Sequence, residues 1–244
     1  MQKILGNMRK AIQDYNMIQD GDKIAVGLSG GKDSVILLNA LYRLKQFLPI
    51  NFDIMAITID PGFDNFDTSY LKDLCYNLGI EYVIYDSHIK DIVFDIRNEK
   101  NPCSLCANLR RGMLNSVAIE HGCNKIALGH HMDDVIETLF LSLFYEGHIH
   151  TFSPVTYLSR SNIYLIRPMI YVEEKQIKSV INKSDFKIMN KCCSQDGFTK
   201  REYMKDLFKK LILDIPNVRS NIFGAIKRSN IKGWNIEGGN DNEE

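Results

Sequence analysis

The sequence predicts an α/β fold that has a parallel sheet and a C-terminal helical appendage. Short apolar runs alternate with amphipathic stretches of ten or more residues through the middle of the chain, a pattern typical of βαβ units. Beyond Pro168 the strand signal fades and helical periodicity dominates. With 244 residues, of which 45% are hydrophobic, the chain is long enough and apolar enough for one compact core with an appendage.

The apolar runs predict five strands, at 23–28, 52–59, 82–85, 125–128 and 164–166. Helices are predicted at 35–47, 68–78, 105–122 and 133–145, and Gly122 and Gly147 lie where a glycine commonly ends a helix. Three further helices are predicted at 172–184, 200–213 and 218–226. Because parallel sheets bind ligands at the carboxyl ends of their strands, motifs at those ends are the candidates for function.

The N-terminus predicts no targeting signal, and no run approaches the ~18 apolar residues that span a bilayer. We therefore expect a cytoplasmic protein that does not contact membranes. In that reducing compartment paired cysteines are more often metal ligands or catalytic thiols than disulfides.

The strongest local signal is an SGGKDS motif between the first predicted strand and its helix. Two glycines allow a sharp turn that aims backbone N–H groups at an anion, and the helix N-terminus adds its positive end. Serine hydroxyls and the lysine ammonium would contact phosphate, and the aspartate would need a cation such as Mg²⁺. The alternative is a plain glycine turn capped by the last serine. The motif comprises Ser29, Gly30, Gly31, Lys32, Asp33 and Ser34.

The spacing differs from the Walker pattern. The motif instead resembles the PP-loop of the ATP pyrophosphatases, which have an adenine nucleotide alpha hydrolase-like fold. These proteins cleave ATP between the α- and β-phosphates, adenylate a carbonyl oxygen and then displace AMP with a nucleophile. The resemblance implies a PP-loop ATP-binding domain over 1–170.

A second polar cluster, GHHMDD at 129–134, follows the fourth predicted strand. It is similar to the GHxxDD segment beside the nucleotide in tRNA-modifying PP-loop proteins. That similarity implies that Gly129 approaches the nucleotide and that Asp133 and Asp134 lie near the reacting end. Asp134 is the candidate for a magnesium contact, with His130 as a weaker candidate. The alternative is that Asp133 or Asp134 only caps the helix. Asp60, after the second strand, is a candidate for metal or loop positioning, or a turn residue before Pro61.

Six cysteines divide into three groups. Cys103 and Cys106 form a CxxC pair at the start of a predicted helix, where thiolates are favoured. Cys192-Cys193 offers a third ligand. A structural zinc site needs four ligands, whereas three suit an iron–sulfur cluster with one open iron. We favour the cluster over zinc. Cys75 and Cys123 lie in apolar surroundings and are expected to be buried.

Together these motifs resemble the TtcA family of tRNA 2-thiocytidine synthetases from about Lys23 to Phe223. The similarity extends to PCSLC followed by LRRG at 102–112, to KIALGHH at 125–131 and to IRP at 166–168. It implies a [4Fe-4S] cluster bound by Cys103, Cys106 and Cys192, with Cys193 left open as the alternative third ligand. In one departure from the family, Met189 stands where a second CxxC would begin.

The resemblance implies ATP- and Mg²⁺-dependent thiolation at C2 of a tRNA pyrimidine, most simply cytidine 32, with Lys32, Asp33 and Asp134 as catalytic residues. The expected partners are tRNA and a sulfide donor such as a cysteine desulfurase system, and a homodimer is considered. The alternatives are a 2-thiouridine synthetase or another PP-loop sulfurtransferase, a lysidine synthetase, which the CxxC argues against, and a non-catalytic, nucleotide-gated iron–sulfur sensor.

The net charge of the whole chain is zero, but the C-terminal region is locally basic. Between Gly197 and Gly233 there are nine Lys and Arg residues against three acids, while the residues from Trp234 onward include four acids and no base. We predict a basic RNA-binding appendage over 171–233 and a flexible acidic tail over 234–244, with Arg110 and Arg111 adding to the phosphate contacts. The alternative is that these charges lie on solvated helix faces.

Overall fold

The structure is a computed structural model, and it describes residues 1–96, 102–189 and 200–235. Its centre is one six-stranded sheet in the order β3-β2-β1-β4-β6-β5. Neighbouring strands are parallel except for β5, which runs antiparallel to β6. The strands are β1 (Asp22–Gly27), β2 (Phe52–Asp60), β3 (Glu81–Asp86), β4 (Lys125–Ala127), β5 (Val155–Leu158) and β6 (Ile163–Ile166).

Eight α-helices lie within the described ranges, together with a π-helical turn at Asp91–Ile96. Gly79 and Gly122 follow α3 and α4 with φ of +63° and +72°, the left-handed conformation that commonly ends a helix. The helices are α1 (Gln2–Asp14), α2 (Lys32–Lys45), α3 (Ser69–Leu78), α4 (Pro102–Glu120), α5 (Met132–Tyr145), α6 (Glu174–Ile181), α7 (Lys200–Asp214) and α8 (Val218–Lys227).

Helices cover both faces of the sheet, which is why β1 is apolar on both sides. Ile24 and Val26 point into the larger core that α2 shares with α1 and α5, whereas Ala25 points into a second core beneath α4. The predicted parallel-sheet α/β fold is confirmed. Within the described residues, no helix is both long enough and apolar enough to cross a membrane.

Besides the π-helical turn, one helix and one strand were not predicted. The first is α1, whose amphipathic pattern buries Ile4, Met8 and Ala11 on one face. The second is β5, a short edge strand that joins the sheet by antiparallel pairing with β6. The predicted helix at 172–184 is shorter, since α6 spans only Glu174–Ile181 and the chain before it forms turns at 168–171, with Val172 fully buried.

The C-terminal helices pack on the sheet domain and share its core. α7 and α8 lie against α5, and Phe208 and Phe223 belong to the same apolar cluster as the β1 side chains. Trp234 is fully buried, with edge-on ring contacts to Tyr15 and Phe223. Trp234, which the sequence assigned to the tail, is therefore part of the folded chain. Residues 236–244 lie outside the described ranges, and the division into domains stays a prediction.

Candidate active site

Both sequence motifs lie at the edge where the parallel strands end. β1 pairs directly with β4, with Val26 opposite Ala127, so the segments that follow the two strands leave the sheet side by side. Their backbones approach closely: a Cβ added to Gly129 would lie 3.0 Å from the carbonyl carbon of Asp33. The glycine at 129 is therefore needed for the contact between the motifs.

A cavity of about 450 Å³ opens between the two motifs and α4. Serine hydroxyls, backbone from both motifs and three arginines surround it, a donor-rich wall suited to an anionic ligand. Its lining comprises Gly27, Leu28, Ser29, Asp33, Ser34, Ile57, Ile59, Ala107, Arg110, Arg111, Leu114, Leu128, Gly129, His130, Asp134 and Arg201. Of the predicted nucleotide residues, the structure thus brings together Ser29, Asp33, Ser34, Gly129 and Asp134.

The SGGKDS segment forms a tight loop that ends in a helix N-terminus. Gly30 has φ of +77°, and Gly31 is the N-cap of α2. Ser34 Oγ donates to the Gly31 carbonyl at 2.9 Å, and Ser29 Oγ lies 3.2 Å from Ser34 Oγ. Because Ser29 and Ser34 also face the cavity, the loop presents hydroxyls beside a helix N-terminus, the arrangement in which proteins bind phosphate.

Lys32 is turned away from this cavity. Its Nζ lies 2.8 Å from Asp33 Oδ2 and 3.1 Å from Oε1 of Glu174, the first residue of α6. Burial alone would lower the Lys32 pKa, but the two carboxylates outweigh it and raise the pKa. Within the described residues, Lys32, Gly30, Gly31 and Asp60 do not line the cavity. Their nucleotide roles stay predictions.

Asp134 faces the cavity with both carboxylate oxygens engaged. Oδ2 accepts the backbone N–H of His131 at 2.9 Å, and Oδ1 accepts from Arg201 Nη1 at 3.0 Å. Burial tends to raise the Asp134 pKa, but the neighbouring His131, His130 and Arg201 lower it overall. Asp134 is therefore ionised at neutral pH, and it combines the capping and cavity-facing roles that the sequence left as alternatives.

Asp133 is a structural link and does not line the cavity among the described residues. It is almost fully buried, and its Oδ2 accepts the Glu174 N–H at 2.7 Å. Its other oxygen pairs with Arg219 of α8 at 3.1 Å. Asp133 thus joins α5 to the beginning of α6 and to α8, so the C-terminal helices are held directly against the GHHMDD segment.

His130 is held between an aromatic ring and a cation. Its ring lies 4.9 Å from that of Phe152, and Arg167 Nε donates to its Nδ1 at 3.3 Å. Burial, aided by nearby Arg167 and Arg201, lowers the His130 pKa to about 4. His130 is therefore neutral at pH 7 and contributes a polar but uncharged edge to the cavity.

Glu137, one turn beyond Asp134, is a buried acid with a raised pKa. Burial, reinforced by the negative charge of Asp134, raises its pKa to about 7. Only Arg201, 3.6 Å from its Oε2, approaches it as an ion pair among the described residues.

We expect the nucleotide-free protein to lose stability as pH rises from about 4.5 to 7, because the folded state retains a proton on Glu137 that the unfolded state has released. Glu137→Gln should remove a pH-dependent contribution of about 2–3 kcal/mol in this window. Urea unfolding at several pH values without divalent cations would measure it, with the exposed Glu120→Gln as control. An unchanged pH dependence in Glu137→Gln would contradict the assignment.

The CxxC pair lies in the first turn of α4, which begins at Pro102, earlier than the predicted start at 105. Cys103 is exposed and Cys106 is half-buried. The helix continues directly into the cavity wall, since Ala107 follows Cys106 and Arg110 and Arg111 lie one turn further on. Cys192 and Cys193 lie outside the described residues. Cys75 and Cys123 are buried, as predicted.

Asp60 performs the turn role that the sequence offered as its alternative. Its Oδ1 accepts the Gly62 N–H at 2.8 Å, which stabilises the turn after β2. In the described part of the chain, no group of three or more His, Cys, Asp or Glu side chains is placed to hold a metal ion. The Mg²⁺ contacts of Asp33 and Asp134 stay predictions.

Sequence reasoning missed two contacts from the C-terminal helices: Arg201 in the cavity wall and Glu174 on Lys32. Both residues belong to segments for which the sequence predicted only helices and a basic surface. Arg110 and Arg111 were assigned to RNA contact, yet they line the cavity. No local motif distinguishes such residues, because their role depends on which helix faces the sheet edge.

Three comparisons with known proteins agree with this architecture. The sequence profile of the PP-loop domain family matches residues 2–211. The chain is 36% identical over 227 residues to a tRNA-cytidine(32) 2-sulfurtransferase from Geobacter metallireducens, covering 92% of this chain and 88% of that protein. A protein of the same name from Syntrophotalea carbinolica is 39% identical over 220 residues, covering 89% and 85% of the two chains.

Among solved structures, the U34-tRNA thiolase NcsA from Methanococcus maripaludis, determined with its [4Fe-4S] cluster, superposes with a TM-score of 0.73. The sequences are 25% identical, and the match covers 90% of this chain and 76% of that one. The similarity therefore extends over most of this chain.

Proposed function

We propose a function from the premise that this chain belongs to the PP-loop family and, within it, to the tRNA-cytidine(32) 2-sulfurtransferases. It is an ATP-dependent tRNA sulfurtransferase that replaces the C2 oxygen of cytidine 32 by sulfur. One observation carries this proposal beyond the similarity: the helix that bears the CxxC pair forms a wall of the cavity lined by the PP-loop serines. A thiol-bearing segment and a phosphate-binding loop thus face one cavity.

The loop and the arginines supply what adenylation requires. The C2 oxygen attacks the α-phosphorus of ATP, the bond to the β-phosphate oxygen breaks, and pyrophosphate leaves. Ser29, Ser34 and the α2 N-terminus bind the departing phosphates, since N–H and O–H donors there stabilise the growing negative charge. Arg110 and Arg111 add positive charge from the opposite wall. Displacement of AMP by a sulfur nucleophile then completes the exchange.

The cysteines fit an iron–sulfur cluster. Cys103 and Cys106 are three residues apart on one face of α4, near its N-terminus. With a third cysteine they would hold a cluster that leaves one iron open, and such a cluster would supply an iron-bound sulfur nucleophile. In this chain Cys106 directly precedes Ala107 of the cavity wall, and Cys103 lies one turn before Ala107.

The third ligand in the proposal is Cys192, with Cys193 as the alternative. Met189 supports it: its backbone N–H donates to the Gly30 carbonyl at 3.0 Å, so the chain passes over the phosphate loop three residues before Cys192. Met189, just before the segment that contains Cys192, therefore lies at the same edge of the sheet as the phosphate loop.

The remaining parts of the proposal rest on chemistry. Asp33 and Asp134 are the carboxylates available to a Mg²⁺ that accompanies ATP, the substrate is tRNA, and the sulfur is delivered by a donor such as a cysteine desulfurase system. The protein acts in the cytoplasm, and a homodimer is compatible with these roles.

A second candidate function, 2-thiouridine formation, is favoured by the structural likeness to a U34-tRNA thiolase.

Nucleoside mass spectrometry separates the two candidates. Anaerobically purified protein, incubated with ATP, Mg²⁺, sulfide and unmodified tRNA, is expected to produce 2-thiocytidine and AMP in equal amounts. Formation of 2-thiouridine alone would favour the second candidate. ATP turnover to AMP without any thionucleoside, or protein that contains no iron, would contradict the proposed activity.

A further inference from the structure

Arg201, the second residue of α7, extends from the C-terminal helices into the PP-loop cavity. Its guanidinium donates to Asp134 at 3.0 Å and to Thr138 Oγ1 at 3.2 Å, and lies 3.6 Å from Glu137. These contacts hold the side chain across the first two turns of α5. Arg201 is therefore held in place even without a ligand.

The same guanidinium retains capacity for a ligand. Arginine carries five N–H donors, and in the described part of the chain the hydrogen bonds to Asp134 and Thr138 use two of them. The side chain is 40% exposed and faces the cavity that Ser29 and Ser34 also line. Free donors, permanent charge and a fixed orientation are what binding a phosphate oxygen requires.

The charges around it favour an anion at this point. Asp133 is already paired with Arg219. Asp134 and Glu137 both lie beside Arg201, and the pKa of Glu137 is raised. Arg201 thus balances Asp134 inside a cavity whose other cations, Arg110 and Arg111, come from α4. A bound polyphosphate would be flanked by arginines from α4 and α7 and by the PP-loop between them.

We infer that Arg201 is a nucleotide-binding residue that contacts the phosphates of ATP directly. This inference rests on the proposed function, because it assumes that ATP occupies this cavity. It means that α7 completes the ATP site, so the C-terminal helices belong to the active site besides contacting RNA.

Equilibrium binding to the full-length, anaerobically purified protein tests this, with ATP and adenosine as probes in Mg²⁺ and in EDTA. Arg201→Ala is expected to weaken ATP binding at least about tenfold under both conditions, because a charge-assisted contact is lost, and to leave adenosine binding within twofold. Lys210→Ala, which removes an exposed charge from the same helix, should change neither. If Arg201→Ala does not fold, Arg201→Gln removes the charge but retains polar donors and should give the same pattern.

The possible results separate cleanly. Equal ATP affinity in wild type and variant overturns the inference, as does a parallel loss of adenosine binding, which would indicate a structural role. A loss of ATP affinity seen only in Mg²⁺ would mean that Arg201 acts through Asp134 on a cation. That result would also overturn the direct contact between Arg201 and the phosphates. Absence of ATP binding in the wild type would instead overturn the proposed function.

Discussion

Replacing Cys103 by serine is expected to abolish tRNA thiolation, to below about one hundredth of wild type, and to remove most bound iron. The hydroxyl is a poor substitute for a soft thiolate ligand, and Cys103 is an exposed residue in the first turn of α4 with no packing role to lose. ATP affinity should remain within twofold, since Cys103 does not line the cavity among the described residues. Iron analysis, ATP binding and nucleoside mass spectrometry on anaerobic protein measure the three quantities.

Cys75→Ala is the matched control. Cys75 lies on the buried face of α3, and burial raises its thiol pKa to about 12, so it is a packing residue without thiolate character. The change should lower stability by about 1 kcal/mol through a small cavity while iron and thiolation persist. Retention of iron and thiolation by Cys103→Ser would exclude the CxxC pair as cluster ligands.

Gly30→Ala is expected to destroy ATP binding, whereas Gly31→Ala, one residue on, is expected to be tolerated. Gly30 has φ of +77°, and a Cβ there would overlap with Met189 Sδ. The backbone conformation alone costs about 1–3 kcal/mol for a residue other than glycine, and the clash forces the loop or the 185–189 segment to move. Gly31 has φ of −75°, and its added Cβ meets only Ser29 Oγ at 3.5 Å.

The two contributions at Gly30 can be separated. Adding Met189→Ala to Gly30→Ala removes the overlap with Met189 Sδ and Cγ but leaves the close approach of the Cβ at 189 and the unfavourable φ, so the double variant should recover thermal stability only in part. ATP titration and thermal unfolding of the three variants and the wild type provide the comparison. If Gly30→Ala bound ATP as tightly as Gly31→Ala does, the positive φ would have no role in phosphate binding.

Local motifs were sufficient to predict most of the fold and the centre of the site. The alternation of apolar runs with amphipathic segments predicted the parallel sheet, and SGGKDS and GHHMDD lie next to each other because β1 pairs with β4. The CxxC pair was predicted at a helix start and lies there. These features depend on periodicity and on short-range backbone geometry, which neighbouring residues encode.

The orientation of individual side chains was beyond such reasoning. Lys32 is predicted to contact phosphate, and the structure pairs its ammonium with Glu174 from α6 as well as with the adjacent Asp33. Asp133 was grouped with Asp134 at the reacting end, yet it is buried against Glu174 and Arg219. The partners from the C-terminal helices lie at least 41 residues away in the sequence.

By itself, then, the sequence determined the α/β class, the phosphate loop, the CxxC pair and the similarity to tRNA-thiolating proteins. Each of these depends on a short sequence motif or a local pattern. Only the tertiary structure decided that Arg201, Glu174 and Arg219 reach the PP-loop region. Charged side chains lose solvation on burial and are stable there only beside an opposite charge. Which acid meets which base depends on how α6, α7 and α8 pack against α5 and α2, and that long-range packing is not visible in any local pattern.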